Sequence, residues 1–407
     1  MLDKIKQVKK ASFVLAASSL EKRNALIEAI ARNFENHIAL IIEANKKDMQ
    51  NAKDISSALL DRLYLDEKRI ASFISGLKKL ICLPDPIGKI QERIQRNNGL
   101  EIIKKSVPLG VVGMIYESRP NVTSDAIGIC LKSANAVVLK GGSEALYTNK
   151  ILVELAKEAL LKEGFPTSCI ELIEDRDGVS QMLHLRGLID VIIPRGSDRL
   201  IKFVVENSQV PVLETGSGNC HIFVDKSADF DMAAKIIINA KTSRVSVCNA
   251  IEKLLVHQDI AKDFLPFIIL KLREKNVEVL GCKKSKEIVL DICEAQMQDY
   301  FEEYLDYKIC IKVVCDADEA IEHINHYSSH HSEAIITQDL QNVEKFFQEV
   351  DSAVLYHNAS TRFSDGDEFG FGAEIGISTQ KIHTRGPMGL EALCSYKYLV
   401  SGKGQIR

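Results

Sequence analysis

The run Gly110-Val-Val-Gly-Met-Ile-Tyr-Glu-Ser-Arg-Pro-Asn-Val-Thr123, continued by Ala136-Val-Val-Leu-Lys-Gly-Gly-Ser143, decides the fold. An apolar strand, Val111–Tyr116, meets a turn set by Pro120 and then a helix predicted over Thr123–Ser133. A second apolar strand, Ala136–Lys140, opens into a helix over Ser143–Lys162. Outward from there, strand Ile170–Ile173 leads to a short helix near Val179–Leu185, and strand Asp190–Ile193 to a helix over Asp198–Asn207. Strands Pro211–Glu214 and Cys220–Val224 close the region. Val- and Ile-rich strands alternating with amphipathic helices predict an α/β fold with a mostly parallel sheet covered on both faces. Such sheets bind ligands at the carboxyl ends of their strands, so the loops after strands matter most.

Toward the N-terminus, Ser18 to Gln50 reads as helix. Ser18 and Glu21 form a capping box, and Leu26, Ile27, Ile30, Phe34, Ile38 and Ile41 mark an apolar face. Further helix is expected through about Leu80. From Ile90 to Pro108 two polar, alternating strands flank Asn97-Asn98-Gly99, a hairpin signal. That ribbon is either an arm toward another subunit or a solvent-exposed element of one chain. Toward the C-terminus, a second α/β region runs from about Ala228 to Asn358, with strands Glu252–Val256, Val277–Leu280, Ile309–Val314 and Ala353–Tyr356. A Gly-rich stretch follows, and Cys394-Ser-Tyr-Lys-Tyr-Leu-Val400 reads as an edge or exchange strand.

The chain has 407 residues, 46% hydrophobic and 27% charged, with a net charge of −4. That length predicts two or three domains. The charge argues against nucleic acid or an anionic membrane surface as the main partner. No apolar run is long enough to span a bilayer, and the start lacks the pattern of a signal peptide, so a cytoplasmic location is expected. The ten cysteines are scattered, without a Cys-x-x-Cys pair, and are read as reduced thiols with no structural metal. His323, His326, His330 and His331 lack a metalloprotease-type spacing with glutamate and are read as a polar helix end and loop.

Chemistry concentrates in three places. Cys248 sits in the polar loop Thr242-Ser-Arg-Val-Ser-Val-Cys-Asn249, between a helix and an apolar strand, where a rigid scaffold can aim a thiol into a cleft. Gly-x-Gly-x-x-Gly is absent, but Lys140-Gly141-Gly142-Ser143 ends a strand at a helix start, and Arg195-Gly196-Ser197 repeats the arrangement. Glycines there let a ligand approach the backbone, and Lys140 adds a positive charge. A tight turn with a snorkelling lysine is the alternative. Two such loops in one sheet favour a phosphate-bearing ligand. Asn121, just past Pro120, would present its amide to an oxyanion.

Arg244-Val-Ser-Val-Cys-Asn-Ala250, Tyr116-Glu-Ser-Arg-Pro-Asn121 and the run Phe369 to Leu390 resemble the gamma-glutamyl phosphate reductases, also called glutamate-5-semialdehyde dehydrogenases. These form the proline-pathway branch of the aldehyde dehydrogenase superfamily. Ala320–Ile335 resembles another of their signatures, and the likeness extends over nearly the whole chain. It implies an aldehyde dehydrogenase-like fold: a Rossmann-like NADP(H)-binding domain over 1–227 and an α/β catalytic domain over 228–375. Residues 376–407 would return to the cofactor domain and supply a C-terminal strand. That strand and the hairpin 90–108 would form a small β oligomerisation element of a homo-oligomer. By position, Cys248 matches the nucleophile and Asn121 the oxyanion-hole amide. Lys140 matches the lysine near the adenosine ribose and its 2′-phosphate, with Gly141, Gly142 and Ser143 beside it. Arg195, Gly196 and Ser197 match the cofactor-contacting turn, and Glu303 the glutamate that steadies the nicotinamide ribose. The chain departs from many relatives at Val245, where they have proline, which bears on loop stiffness.

The implied reaction is NADPH-dependent reduction of L-glutamyl 5-phosphate to the semialdehyde through a cysteinyl thioester. A functional association with a glutamate 5-kinase goes with it. The substrate carries a phosphate, a carboxylate and an ammonium group. Arg362 and Arg385 are candidates for its anions, with Arg119 and Arg244 next, because planar guanidinium suits both. Glu374 is the candidate for the ammonium. Glu214 falls where hydrolytic aldehyde dehydrogenases keep a general base; phosphate is a good leaving group, so Glu214 is expected to be dispensable for reduction.

Overall fold

A computed structural model describes residues 1–52, 57–175 and 177–407. The part of the N-terminal helical reading that falls on 53–56 lies outside the described residues. The chain forms two compact units, one of Met1–Thr215, Gly370–Gly376 and Met388–Arg407, the other of Gly216–Phe369 and Ile377–Pro387.

In the first unit, among the described residues, four parallel strands lie in the order Ile170–Leu172, Ala136–Gly141, Val111–Tyr116, Val191–Arg195. Val111–Tyr116 and Ala136–Gly141 are buried along their whole length, as strands covered on both faces must be. The strand order turns back between Val111–Tyr116 and Val191–Arg195. The loops Glu117–Arg119 and Gly196–Ser197 therefore open at the switch point, where doubly wound sheets take ligands. Pro211–Glu214, expected as a strand, makes only a single bridge between Ile192 and Val212. Pro211 has no N–H to donate, which limits its part in a ladder.

Helices Leu20–Asn36, Ile38–Asn51 and Glu67–Cys82 pack on helices Pro120–Lys132 and Leu146–Lys162 of this unit, with Ser57–Leu63 against Ile38–Asn51; they are preceded by helix Leu2–Ala16, which packs on the sheet and which the sequence reading did not anticipate. It buries a sparse apolar face of Ile5, Val8, Ala11 and Leu15 among many lysines. The helix expected over Ser18–Gln50 is broken at His37, whose backbone leaves the helical region while its ring meets the Asn33 carbonyl at 2.8 Å. The cap is Ser19, which accepts from the Lys22 N–H; Ser18 instead donates to the Leu15 carbonyl and closes the preceding helix. The hairpin of Ile90–Gln95 and Glu101–Pro108 turns at Gly99, whose φ of +85° suits a residue without a Cβ. Strand Cys394–Ser401 pairs antiparallel with Glu101–Pro108 to complete a three-stranded sheet.

The second unit holds a seven-stranded parallel sheet among the described residues. Its order is Cys293–Glu294, Glu278–Gly281, Lys308–Val314, Ile251–His257, Cys220–Val224, Ser332–Ile336, Val354–His357. Cys220–Val224, expected in the first sheet, is an inner strand of this one. The division between units accordingly falls at Thr215/Gly216 rather than 227/228, and Ile377–Pro387 joins the second unit rather than the first. Ser332–Ile336, fully buried, was not expected; its Ser and Glu mask it as polar loop. Helices Phe230–Thr242, Gln258–Arg273, Ala317–Tyr327 and Leu340–Glu349 flank the sheet. Among the described residues, no helix is long and apolar enough to cross a membrane.

Candidate active site

Cys248 lies between helix Phe230–Thr242 and strand Ile251–His257, so it precedes its strand instead of following one. The polar run Thr242-Ser-Arg-Val-Ser246 ends the apolar face of the helix, and Ile251 begins a strand buried throughout. The segment Gly216-Ser-Gly-Asn219, which enters the neighbouring strand, supports the loop. A Cβ on Gly218 would overlap the Cys248 carbonyl, so only glycine allows this approach. The Gly218 N–H donates to Glu303 Oε1 at 2.7 Å. Asn219 is tied down by its N–H to Ser329 Oγ at 2.8 Å, and by its amide to the carbonyls of Tyr300 and Tyr327 at 2.8 and 2.7 Å. The Cys220 thiol donates to the Cys248 carbonyl at 3.1 Å. Burial pushes Cys220 well above the usual thiol range, which keeps it protonated and a donor. Cys248 itself remains partly exposed.

The far side of the loop is held by the turn Thr361–Phe363. Thr361 Oγ1 donates to the Asn249 carbonyl at 2.7 Å, and the Asn249 amide donates to the Ser364 carbonyl at 2.9 Å. Arg362 donates through Nη1 to Asn249 Oδ1 and through Nε to Ser243 Oγ, the latter at 3.0 Å. Burial lowers the Arg362 pKa, as does the neighbouring Arg244. Arg244 is exposed on the same loop. Arg385 has a different setting: it donates to the Asp351 carboxylate at 2.9 Å, which also meets Lys381 at 2.5 Å. Both cations hold Asp351 below the usual carboxylate range.

The four histidines are not one polar surface. His323 and His331 are buried, and the His323 ring packs edge-on against His221 at 5.6 Å. Burial lowers the pKa of His221 to about 3 and of His323 to about 2, so both are neutral. Nearby, burial raises the Glu333 carboxyl to about 8. The 3.4 Å approach of His221 Nδ1 to Glu333 is therefore a contact of neutral groups near pH 7, not an ion pair.

In the first unit, Lys140 is buried at its strand end, with Nζ donating to the Gly141 carbonyl at 3.0 Å. Burial lowers its pKa, and a Cβ on Gly178 would lie 3.4 Å from its Cδ. It does not snorkel to solvent. A Cβ on Gly141 would overlap the Asn149 amide, and one on Gly142 the Glu144 carboxylate; Ser143 begins the short turn that follows. Glu144 Oε1 accepts from the Ser118 N–H at 2.7 Å and its hydroxyl at 2.6 Å. Glu117 Oε2 accepts from the Ser197 N–H at 2.7 Å, over Gly196. Backbone donors at these strand ends thus already receive anionic oxygen, the chemistry a phosphate presents, and the residues fit a dinucleotide's phosphates.

Asn121 occupies the first turn of helix Pro120–Lys132 and donates to Asp125 Oδ2 at 3.1 Å. Burial pushes Asp125 up to about 6, against the opposing effects of Asn121 and Arg195. Burial and Asp198 also raise Glu214. Arg119 and Glu374 are half-exposed. Asn121, Arg119, Lys140, Arg195, Glu214 and Glu374 belong to the first unit; Cys248, Arg244, Glu303, Arg362 and Arg385 belong to the second. Gly218, Asn219, Cys220 and Asn249 were not singled out from sequence. A Gly-x-Gly-Asn run just before an apolar strand was the available sign, because glycines there announce a close backbone approach.

A sequence profile of the aldehyde dehydrogenase family matches residues 3–280. A gamma-glutamyl phosphate reductase of Clostridium botulinum is 56% identical over 406 residues, 98% of each chain. One from Caldanaerobacter subterraneus is 52% identical over 408 residues, 99% of each chain. The crystal structure of gamma-glutamyl phosphate reductase from Thermotoga maritima superposes with a TM-score of 0.98 at 49% identity, covering 100% of this chain and 99% of that one.

Proposed function

Because this chain belongs to the gamma-glutamyl phosphate reductases of the aldehyde dehydrogenase family, we propose that it reduces L-glutamyl 5-phosphate to L-glutamate 5-semialdehyde and phosphate, a step of proline biosynthesis. The observation that carries the mechanism is Cys248: part-exposed, its carbonyl packed against Gly218 and bonded by Cys220, with two guanidinium groups on or beside its loop. Nearby cations favour the thiolate, which is the nucleophilic form. Cys248 attacks the acyl carbonyl, the C–O bond to phosphate breaks, and a thioester remains. The Asn121 amide is the oxyanion donor in this reading, together with the Cys248 N–H.

Lys140, Gly141, Gly142, Ser143, Arg195, Gly196 and Ser197 would hold NADP(H), with Glu303 at its ribose. When bound, the cofactor supplies the hydride that takes the thioester to the aldehyde level. Lys140 contributes positive charge at a strand end, and the Ser118 and Ser197 N–H groups donate to anionic carboxylate oxygen, which supports a phosphate-rich ligand. The substrate anions fall to Arg244 and Arg119, and its ammonium to Glu374. Arg385 is left to its ion pair with Asp351. Phosphate departs without a base, so Glu214 is dispensable in this direction. The exposed Tyr396, Tyr398 and Val400 on the C-terminal strand support a homo-oligomer contact there. The acyl phosphate would come from a glutamate 5-kinase in the cytoplasm.

The test runs the reaction backward: NADP reduction by glutamate semialdehyde, with and without phosphate. Wild type is expected to need phosphate, C248A to lose activity by about a thousandfold or more, and E214Q to stay within a few-fold of wild type. Turnover that ignores phosphate, or that survives in C248A, overturns the reading. An E214Q loss as deep as that of C248A places a base in the mechanism.

A further inference from the structure

Arg362 entered as a guanidinium for substrate anions, yet its hydrogen bonds run to the protein. Nε donates to Ser243 Oγ at 3.0 Å, and Nη1 donates to Asn249 Oδ1. Ser243 caps the helix that leads into the nucleophile loop, and Asn249 is the residue after Cys248. One side chain thus bridges the two ends of the segment 243–249. Its own turn is bound to the same end of the loop by two more bonds, from Thr361 Oγ1 to the Asn249 carbonyl and from the Asn249 amide to the Ser364 carbonyl. The guanidinium also lies near enough to Cys248 to interact with it electrostatically.

We propose that Arg362 is a positioning residue for the nucleophile: it staples the loop that carries Cys248 and sets a fixed positive charge beside the sulfur. The geometry explains the residue type. A planar fork with separated donors can reach both loop ends at once, whereas a lysine offers a single point charge. A fixed cation near a thiol favours its thiolate, so the staple and the charge serve the same step. Other charged or titratable groups around the loop are Arg244 on it and Asp365 beside Arg362. Cys220 lies beneath, and Glu303 binds Gly218. Arg362 is the group whose hydrogen bonds reach both Ser243 and Asn249. The proposal rests on Cys248 being the nucleophile of the reaction described above.

The experiment measures alkylation of Cys248 in the full-length enzyme by iodoacetamide across pH, with the modified peptide quantified by mass spectrometry. Steady-state kcat and KM are measured beside it. Wild type is compared with R362Q, R362K and S243A. In R362Q the midpoint of the alkylation profile is expected to move up by about one pH unit, making alkylation near neutral pH about tenfold slower. In kinetics, kcat falls more than KM rises. R362K recovers part of the midpoint because the charge returns without the fork, and S243A shifts it slightly. An R362Q profile that overlays wild type, with the defect confined to KM, overturns the proposal in favour of a substrate ligand. If R362Q does not fold, R362K decides the matter: a wild-type midpoint with a raised KM has the same overturning force. Alkylation needs neither substrate nor cofactor. Failure of the reductase reading appears instead as activity in C248A, so the two fail separately.

Discussion

Gly218 has no room for a side chain, because a Cβ there would enter the carbonyl of Cys248, a backbone atom that cannot swing aside. G218A is therefore expected to cost about 1–3 kcal/mol of stability by overpacking. It also displaces Cys248, the proposed nucleophile, and a shift of about 1 Å at a reacting group costs on the order of a hundredfold in rate. Denaturant melts and kcat on the same preparation check both; wild-type turnover in G218A would show that the loop tolerates displacement. The loop position of Cys248 was legible in the sequence because its polar signature between a helix and an apolar strand is local. Arg362, more than a hundred residues away, was legible only as a guanidinium. Which oxygen atoms it meets depends on a turn packed beside the loop, and no local pattern encodes that. Arg385, the same residue type in an equally suggestive motif, is likewise bonded to the protein, through Asp351, which also meets Lys381.

Strand Cys394–Ser401 shares its full length with Glu101–Pro108, from Cys394 opposite Pro108 to Ser401 opposite Glu101. A chain ended at Leu393 leaves Glu101–Pro108 with one bare edge, and bare edges seek other strands. Such a truncation is expected to lower the melting temperature and to raise light scattering on warming. Unchanged melting and scattering would show that the strand adds nothing to the fold. Individual elements were read well where their periodicity was strong: Val111–Tyr116 and Asp198–Asn207 fall where predicted. Elements with weak or misleading local patterns were not. Ser332–Ile336 looks polar because its serine and glutamate are buried among hydrogen-bond partners, Ser364 for the first and Ser328 and His221 for the second. Helix Leu2–Ala16 hides a real apolar face among lysines. The long N-terminal helix was over-read because nothing in the apolar spacing marks the break at His37.

At the scale of the molecule, buried ionisable groups tie stability to pH. Glu333 is neutral in the folded state at pH 7, with its pKa raised by burial from an ordinary 4.5 to about 8. Below about 4.5 it is protonated folded or unfolded. Between about 4.5 and 8 only the unfolded chain ionises, so its contribution to stability falls steadily as pH rises through that window. His221 and His323 act in the other direction. Their folded values of about 3 and about 2 lie below 6.5, so their contribution is present above 6.5 and lost as pH falls. E333Q removes the first effect alone. Relative to wild type, E333Q is expected to gain stability progressively from pH 5 to 8, by a few kcal/mol at an upper bound of about 1.4 kcal/mol per pH unit. Parallel stability curves for the two proteins in urea across that range would refute the assignment.

The sequence by itself determined the parallel α/β class, the strand-end glycines with Lys140, and Cys248 in its loop, because each rests on periodicity or on a short contiguous motif. Tertiary structure alone decided that Cys220–Val224 belongs to the second sheet and that Lys140 is buried. It also decided that Gly218 and Cys220 lie against the backbone of Cys248, and that Arg362 binds the loop of Cys248. Those outcomes depend on which surfaces meet when distant segments pack, and hydrogen-bond partners far apart in the chain leave no periodic trace in it.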